Sequence, residues 1–318
     1  MIVWMDDALF AGTARDVDRL ALLRDAALRR HTLIVSTSPD VPWDARRSPH
    51  FDTWLAALPD RLRIEVTTLR ERSDRVSVNA VVRGATRVLV SATDISAEYS
   101  GCWLSLEDAV RAVAQPLHIL VEHQIHDAAF LRRIMPPVWR KQFSAWERRG
   151  ELRYEHGGGL PVMTALIDFF HQNDHTRLAF GLPAELWRLV HFLVYDHDGE
   201  RAEVPGPDSQ RLERSCVRAG MASRHYRLKR RNQENYLPIK AMRQIVDMRV
   251  TDPGDRTRLM GVIDAYAARG EGRHFKELDH FKNEFATPSA SNWPDTWFED
   301  DGAWPEMTDL AERIASAM

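Results

Sequence analysis

Cysteine is nearly absent from this chain. Its 318 residues include only Cys102 and Cys216, which lie far apart and outside any CxxC pair. This spacing excludes a disulfide framework and a zinc site built from cysteines. Any bound metal is therefore expected to be held by oxygen ligands.

Long apolar runs are absent as well. No stretch approaches the roughly 18 apolar residues that a membrane-spanning helix needs. The first ten residues, MIVWMDDALF, lack the basic start and apolar core of a secretory signal. We therefore expect an intracellular, cytoplasmic protein with no membrane partner. The chain also contains no GxxxxGK[ST] sequence, so it encodes no P-loop ATPase.

The formal net charge of −3 averages over segments of opposite sign. The segment from Arg211 to Arg231 is strongly basic and contains Glu213 as its one acidic residue, whereas the chain after Trp293 is mostly acidic. The composition, with 44% hydrophobic and 28% charged residues, is that of an ordinary globular protein. Its length suits about two domains.

The first 115 residues predict an N-terminal α/β or α+β domain whose role the sequence does not reveal. Apolar runs at 2–4 and 33–36 flank a helical pattern from Val17 to Arg30. Further strands are expected at Leu62–Val66, Val76–Val82 and Arg87–Val90. A helix that begins near Ser105 is broken at Gln115-Pro116, which places a domain boundary there.

Residues 116–240 predict a second domain in which strands and helices alternate. The expected order is strand 118–122, helix 126–135, strand 151–155, helix 160–171, strand 189–195, helix 208–219 and strand 223–228. Apolar strands that alternate with helices indicate a parallel sheet covered on both faces. Residues 241–318 predict a mainly helical region with a loop at 287–292, an acidic tail and a final helix from Met307 to Met318.

Acidic residues follow two of these predicted strands. Glu122 ends the first strand, and Asp196 and Asp198 follow the third. Because ligands gather at the carboxyl ends of parallel strands, these carboxylates are candidates to hold Mg²⁺ or Mn²⁺. A solvated acidic turn is the alternative reading of the DHD triplet taken alone. The glycine run at 157–159 either presents backbone N–H groups to a phosphate or only connects a strand to a helix.

Three segments carry a resemblance to a known family: ILVEHQIHDAAFLRRI at 119–134, HFLVYDHDGE at 191–200 and HYRLKRRNQENYLP at 225–238. Together they resemble the TOPRIM domain of topoisomerases, bacterial primases and OLD (overcoming lysogenization defect) nucleases. The third segment is similar to one in stand-alone TOPRIM nucleases related to the OLD group. The resemblance covers about 125 residues and departs from the family at His123, where a glycine is common.

The resemblance implies a parallel TOPRIM-like sheet in which Glu122, Asp196 and Asp198 hold one or two Mg²⁺ or Mn²⁺ ions. Asp127 corresponds in position to a second acid of the nuclease branch, although it also suits the N-terminal end of a helix. Glu234 is either a further catalytic acid or an ion-pair partner of a neighbouring arginine, Arg230 or Arg231.

The basic residues are assigned in the same way. Lys276 is expected to neutralise transition-state charge, with a charged surface helix as the alternative. Lys229, Arg230 and Arg231 are expected to contact the phosphates of DNA or RNA.

The function implied is that of a metal-dependent endonuclease, the effector of a two-component anti-phage system with a separate ATPase or sensor protein. A homodimer is a further expectation from the nuclease resemblance. The alternative function is a catalytically degenerate TOPRIM-like subunit that docks onto or regulates a nucleic-acid-processing complex. His123 is the residue that favours this alternative.

Overall fold

The computed structural model describes residues 1–11, 16–28, 31–37, 47–82, 87–91, 102–172, 184–268 and 274–318. These residues divide into two compact units. The first unit comprises Met1–Leu117, Asp174–Val190 and Ile314–Met318, and the second comprises His118–Asn173 and His191–Arg313.

The strands and helices follow one another along the chain in a mixed α/β pattern. The strands are β1 (Ile2–Asp6), β2 (Thr32–Ser36), β3 (Arg87–Val90), β4 (Cys102–Leu104), β5 (Leu117–Val121), β6 (Leu152–His156), β7 (His191–Tyr195) and β8 (His225–Arg227). The helices are α1 (Asp16–Leu28), α2 (Pro49–Ala57), α3 (Asp60–Val82), α4 (Leu106–Ala114), α5 (Gln124–Ile134), α6 (Pro137–Arg148), α7 (Leu160–Gln172), α8 (Ala184–Val190), α9 (Pro207–Arg218), α10 (Ile239–Arg249), α11 (Pro253–Ala267), α12 (Asp295–Asp300) and α13 (Trp304–Ala317).

The first unit is built on a four-stranded sheet in the order β2-β1-β3-β4. Each neighbouring pair is parallel, and Val3 of β1 lies opposite Leu33 and Val88. These three side chains belong to one buried apolar cluster that also includes residues of α1, α4 and α8. The sheet confirms that the N-terminal part of the chain is an α/β structure.

Two strands predicted in the first unit are wrong, because Leu62–Val66 and Val76–Val82 both lie in the long helix α3. Val66 and Leu69 are buried and Leu62 packs against the same cluster, a spacing of three and four residues that brings them to one helix face. The β-branched residues of the segment favour a strand locally, but this packing decides in favour of the helix.

The second unit has its own four-stranded sheet, in the order β6-β5-β7-β8. β7 is parallel to both β5 and β8, and Leu193 lies opposite Leu120. β5 and β7 are buried along their length apart from the half-buried His118. Burial on both faces explains why these strands consist almost entirely of apolar residues.

Helices surround this second sheet. α7 packs against α9, and α5 packs against α6 and β6. α11 packs on α10 and begins at Asp252, whose side chain accepts a hydrogen bond from the N–H of Asp255 at 2.8 Å. None of the helices in the described part of the chain combines the length and the apolar character that crossing a membrane requires.

The predicted elements of the second unit differ from the structure mainly at their ends. The strand expected at 189–195 begins at His191, because Ala184–Val190 forms α8. The loop expected at 287–292 contains a short 3-10 helix, Pro288–Asn292. The final helix begins at Trp304, three residues before the expected start.

Candidate active site

Glu122 directly follows β5 and is held by two backbone N–H groups. Its Oε1 accepts a hydrogen bond from the N–H of Asp196 at 3.3 Å, and its carboxylate also accepts one from the N–H of Leu160 at the start of α7. Burial raises the pKa of Glu122 to about 7, and the negative charges of Asp127 and Asp198 contribute to the rise. Glu122 therefore belongs to a group of carboxylates that repel one another.

The glycine run brings the β6–α7 turn onto the end of β5. The N–H of Gly157 donates to the carbonyl oxygen of Val121 at 2.6 Å, and that of Gly158 donates to the carbonyl oxygen of Glu122 at 3.3 Å. A Cβ at Gly157 would lie 2.5 Å from Cγ of Met163, so the close approach requires glycine. Both N–H groups are therefore already hydrogen-bonded within the fold and do not offer themselves to a phosphate. The glycine run acts as the connection that places the N–H of Leu160 next to Glu122.

Asp196 directly follows β7 and lies at the centre of the acidic group. Burial raises its pKa well above the ordinary value. Four further carboxylates raise the pKa of Asp196 by their negative charges: Glu122, Asp127, Glu234 and Asp198. The other four acids that the sequence predicts for the site therefore lie near enough to Asp196 to raise its pKa.

Asp198 occupies a left-handed backbone conformation, with φ of 55°. Its N–H donates to the carbonyl oxygen of Arg231 at 2.8 Å, and its Oδ1 lies 3.6 Å from the Arg231 guanidinium. The turn packs tightly, because a Cβ at Gly206 would lie 2.8 Å from the carbonyl oxygen of Asp198. The side chain of Asp198 is 52% exposed, so it can reach a ligand that approaches from solvent.

Asp127 lies in the N-terminal turn of α5, the position that was the alternative to a metal-binding role for it. Its Oδ2 accepts a hydrogen bond from the N–H of His123 at 2.9 Å, which caps α5, and its Oδ1 accepts one from the side chain of Gln233. It is buried, and burial raises its pKa. His123 is the N-cap residue of α5 and has an extended backbone with φ of −131°. This turn therefore forms without the glycine that is common at the same position in TOPRIM domains.

A small cavity lies among these acids. It encloses about 10 Å³, roughly the room that one water molecule or one small cation needs. Its polar lining consists of Glu122, Asp127, Asp196 and Gln233, and apolar side chains of β5, α5 and β7 close it. In the described part of the chain, however, these carboxylates do not form a group of three whose ligand atoms all lie within 4.8 Å of one another.

The basic residues next to the acids differ sharply in accessibility. Arg230 is buried, and its guanidinium donates to Oδ2 of Asp301 at 2.5 Å and to the carbonyl oxygen of Asn235 at 2.9 Å. These contacts leave Arg230 no exposed face for a phosphate. Lys229 is exposed, and Arg231 lies beside Asp198 with 12% of its side chain exposed.

A larger cleft adjoins the DHD turn. It has a volume of about 470 Å³, and its walls carry both basic and acidic side chains: Arg227, Lys229, Arg313, Glu213 and Asp309. Arg227 pairs with Glu213 at 2.6 Å and Arg313 with Asp309 at 3.4 Å. His197 lines it from the turn itself.

Both ring nitrogens of His197 make contacts within the fold. Nδ1 accepts a hydrogen bond from the N–H of Gly199, and Nε2 contacts the carbonyl oxygen of Ala202, both at 3.2 Å. Burial lowers its pKa to about 4, so the ring is neutral at physiological pH.

Lys276 follows two residues, His274 and Phe275, that contact the DHD turn and Asn235. Nδ1 of His274 lies 3.0 Å from the carbonyl oxygen of Gly199, and the N–H of Phe275 donates to Oδ1 of Asn235 at 2.9 Å. Lys276 follows directly and is exposed. The expected surface helix is absent at Lys276, which lies in a bend.

A second group of metal-binding side chains was not predicted from the sequence. His118, Glu155 and His191 each offer one ligand atom, and these atoms all lie within 4.8 Å of one another, so the group could hold a metal ion. His118 is the second residue of β5 and His191 is the first residue of β7, and both strands are otherwise largely apolar. A polar residue at that position in two neighbouring strands is the sequence signal that would have identified them.

Comparisons with protein-family models, curated proteins and solved structures found no match to this chain.

Proposed function

We propose that this chain is a metal-dependent endonuclease that hydrolyses nucleic-acid phosphodiester bonds and whose second unit is TOPRIM-like. The observation that carries the proposal is the grouping of four carboxylates around Asp196, which follows β7; one of the four, Glu122, ends the neighbouring strand β5. Buried carboxylates that raise one another's pKa are costly for a fold, and function is a common reason for such an arrangement.

The chemistry of the donor set fits Mg²⁺ or Mn²⁺. All candidate ligands are carboxylate oxygens, which these cations prefer, and a divalent charge would offset the repulsion that raises the pKa of Glu122 and Asp196. The cavity between them has the size of one small ion. Asp198 is the most exposed of the three principal ligands, and its rotation would complete coordination of one ion by three carboxylates. Asp127 and Glu234 are the ligands available for a second ion.

When bound, one or two such cations activate water for attack and stabilise the charge that develops on the phosphate and the leaving oxygen. The chain itself positions the ligands. The N–H groups of Asp196 and Leu160 fix the Glu122 carboxylate, and the ends of two buried strands hold Glu122 and Asp196 rigidly. Such preorganisation by rigid elements is what catalysis requires of a metal site.

The nucleic-acid backbone is proposed to lie in the cleft of about 470 Å³ beside the DHD turn. Lys229, on the wall of this cleft, and Arg231, beside Asp198, are the phosphate contacts in this proposal. Arg227 and Arg313 also line the cleft, where each is paired with an acid, Glu213 and Asp309 respectively. Arg230 is left out, because its charge is already paired with Asp301 inside the fold. Lys276 remains the candidate for neutralising transition-state charge, from the segment fastened to Gly199.

The proposal also includes a regulator of the nuclease, its cellular role and its oligomeric state. A nuclease that digests nucleic acid without restraint would harm its own cell, and the chain contains no P-loop that would couple it to ATP. We therefore propose a separate ATPase or sensor as the regulator. An anti-phage role and a homodimeric state are proposed from the resemblance to the OLD-related nucleases alone. Co-purification with genome neighbours and sedimentation analysis test these points.

Cleavage of plasmid DNA, single-stranded DNA and total cellular RNA in the presence of Mg²⁺ or Mn²⁺ tests the activity. The wild type is expected to cut at least one polymer, and Asp196→Asn is expected to lose at least 100-fold in rate, the scale of one lost electrostatic group in an active site. Metal-independent cutting, or equal cutting by Asp196→Asn, contradicts the proposal. If neither protein cuts even with its partner present, the degenerate docking subunit becomes the better interpretation.

A further inference from the structure

We propose that His118, Glu155 and His191 form a separate binding site for a divalent transition metal, with Zn²⁺ as the first candidate. This site does not depend on the nuclease proposal. It lies toward the other end of the same strands, since Glu122 comes four positions after His118, a distance of about 13 Å in an extended chain.

Strand pairing brings the two imidazoles together. His118 and His191 are direct partners in the parallel register of β5 and β7. Their rings are stacked with centroids 4.9 Å apart and planes inclined by 20°. Two buried strands therefore hold both rings in place, which reduces the entropy lost when the rings bind a shared ion.

Glu155 joins the histidines from the third strand, β6. Its Oε1 lies 2.6 Å from Nδ1 of His118, and its Oε2 lies 3.2 Å from Nε2 of His191. Ligand atoms at about 2.0 to 2.1 Å from a tetrahedral zinc ion lie roughly 3.4 Å from one another, so small side-chain movements suffice to admit the ion. Two imidazoles and one carboxylate are a ligand set that zinc uses in proteins with a fourth position left for water.

The two histidines contact different oxygens of the Glu155 carboxylate. Nε2 of His191 forms a hydrogen bond with Oε2 of Glu155 at 3.2 Å, and the buried Nδ1 of His118 lies 2.6 Å from Oε1. Both ring nitrogens therefore lie next to the carboxylate that would share an ion with them.

The burial of the three side chains defines how an ion would enter. His118 and His191 are 13% and 6% exposed, whereas Glu155 is 42% exposed. An ion would therefore arrive from the side of Glu155 and find its two nitrogen ligands already buried. Imidazole ligands favour zinc, copper, iron or nickel over Mg²⁺, so the two sites of this unit should select different metals.

Binding of Zn²⁺ alone tests the proposal. The full chain is stripped with a chelator, and Zn²⁺ affinity is measured by calorimetry for the wild type, Glu155→Gln, His118→Gln and the control Asp196→Asn. The ligand-field spectrum of bound Co²⁺ reports nitrogen coordination. Circular dichroism identifies any variant that does not fold, and Glu155→Gln changes the most exposed of the three ligands.

One Zn²⁺ per chain is expected for the wild type and for Asp196→Asn. Glu155→Gln and His118→Gln are each expected to weaken the affinity roughly 100-fold or more, one ligand's share of a zinc site. The proposal is overturned if the folded wild type takes up no Zn²⁺, or if Glu155→Gln binds it as tightly as the wild type does. Loss of Zn²⁺ binding in Asp196→Asn alone would assign the ion to the acidic group and also overturn it.

Discussion

The backbone N–H of Asp196 donates a hydrogen bond to Oε1 of Glu122 at 3.3 Å, across two neighbouring parallel strands. The two residues are 74 positions apart in the sequence, and each directly follows its strand. This hydrogen bond holds the carboxylate of Glu122 in place and brings Asp196 next to it. Carboxyl groups are thus held close together by the backbone, and their mutual repulsion contributes to the raised pKa values of both residues.

Replacing one of these charges should stabilise the metal-free protein. Asp196→Asn removes a carboxylate whose pKa is raised by burial and by four neighbouring acids. We expect a gain of about 0.5 to 2 kcal/mol in the free energy of unfolding without divalent metal, together with lost activity, as is typical of strained active sites. Urea unfolding in the presence of EDTA measures it. A loss of stability of similar size would show that Asp196 serves the fold rather than a ligand.

Arg230 should be important for stability rather than for binding nucleic acid. Arg230→Ala removes the ion-pair partner of Asp301, whose side chain is 3% exposed. We expect a loss of about 3 to 5 kcal/mol. Arg243→Ala is the matched control, because its pair with Asp264 is exposed and should contribute less than about 1 kcal/mol. Urea midpoints that are equal for the two variants would contradict this assignment.

Lys229 should contribute to nucleic-acid affinity without contributing to stability. It is exposed on the wall of the cleft beside the DHD turn. Lys229→Ala is expected to weaken binding to all sequences alike and to reduce the slope of log K against log salt by about 1, the effect of one phosphate contact. Fluorescence anisotropy over a salt series measures the slope. Lys240→Ala, an exposed lysine outside the cleft, should leave it unchanged; equal slopes for wild type and Lys229→Ala would remove Lys229 from the interface.

Replacing Gly157 with alanine should lower the free energy of unfolding. In Gly157→Ala the new Cβ would lie 2.5 Å from Cγ of Met163 and 2.9 Å from the carbonyl oxygen of Val121. The turn must then shift, so we expect a loss of about 1 to 3 kcal/mol and a displaced Leu160 N–H. Gly261→Ala, within α11 and with nothing within 4 Å, should instead stabilise by about 0.5 to 1 kcal/mol. Thermal unfolding compares the two, and a neutral Gly157→Ala would rule out the close approach.

The parts of this structure that sequence predicts well depend on local patterns. Glu122 and Asp196 could be placed at strand ends because each follows a continuous apolar run, and parallel strands align such ends at one edge. The helix from Ser105 could be predicted from its cap: the Ser105 side chain accepts from the N–H of Asp108 at 3.1 Å.

The parts that sequence misses depend on distant contacts. Arg230 lies in a basic run typical of a nucleic-acid surface. In the structure it is buried and donates a hydrogen bond to Asp301, 71 residues later in the chain. Glu155 joins His118 and His191 only because β6 pairs beside β5, and no spacing along the chain encodes that pairing. The β-branched residues of α3 indicate strands until the packing of Val66 and Leu69 is known.

Calorimetric titration with Mn²⁺ tests most directly whether the acids at the ends of β5 and β7 hold a metal. We predict one or two Mn²⁺ ions bound per wild-type chain, binding lost in Asp196→Asn and in Glu122→Gln, and binding kept in Glu155→Gln, which alters only the histidine group. Equal Mn²⁺ affinity in wild type, Asp196→Asn and Glu122→Gln would contradict the assignment and leave the acidic group without a catalytic role.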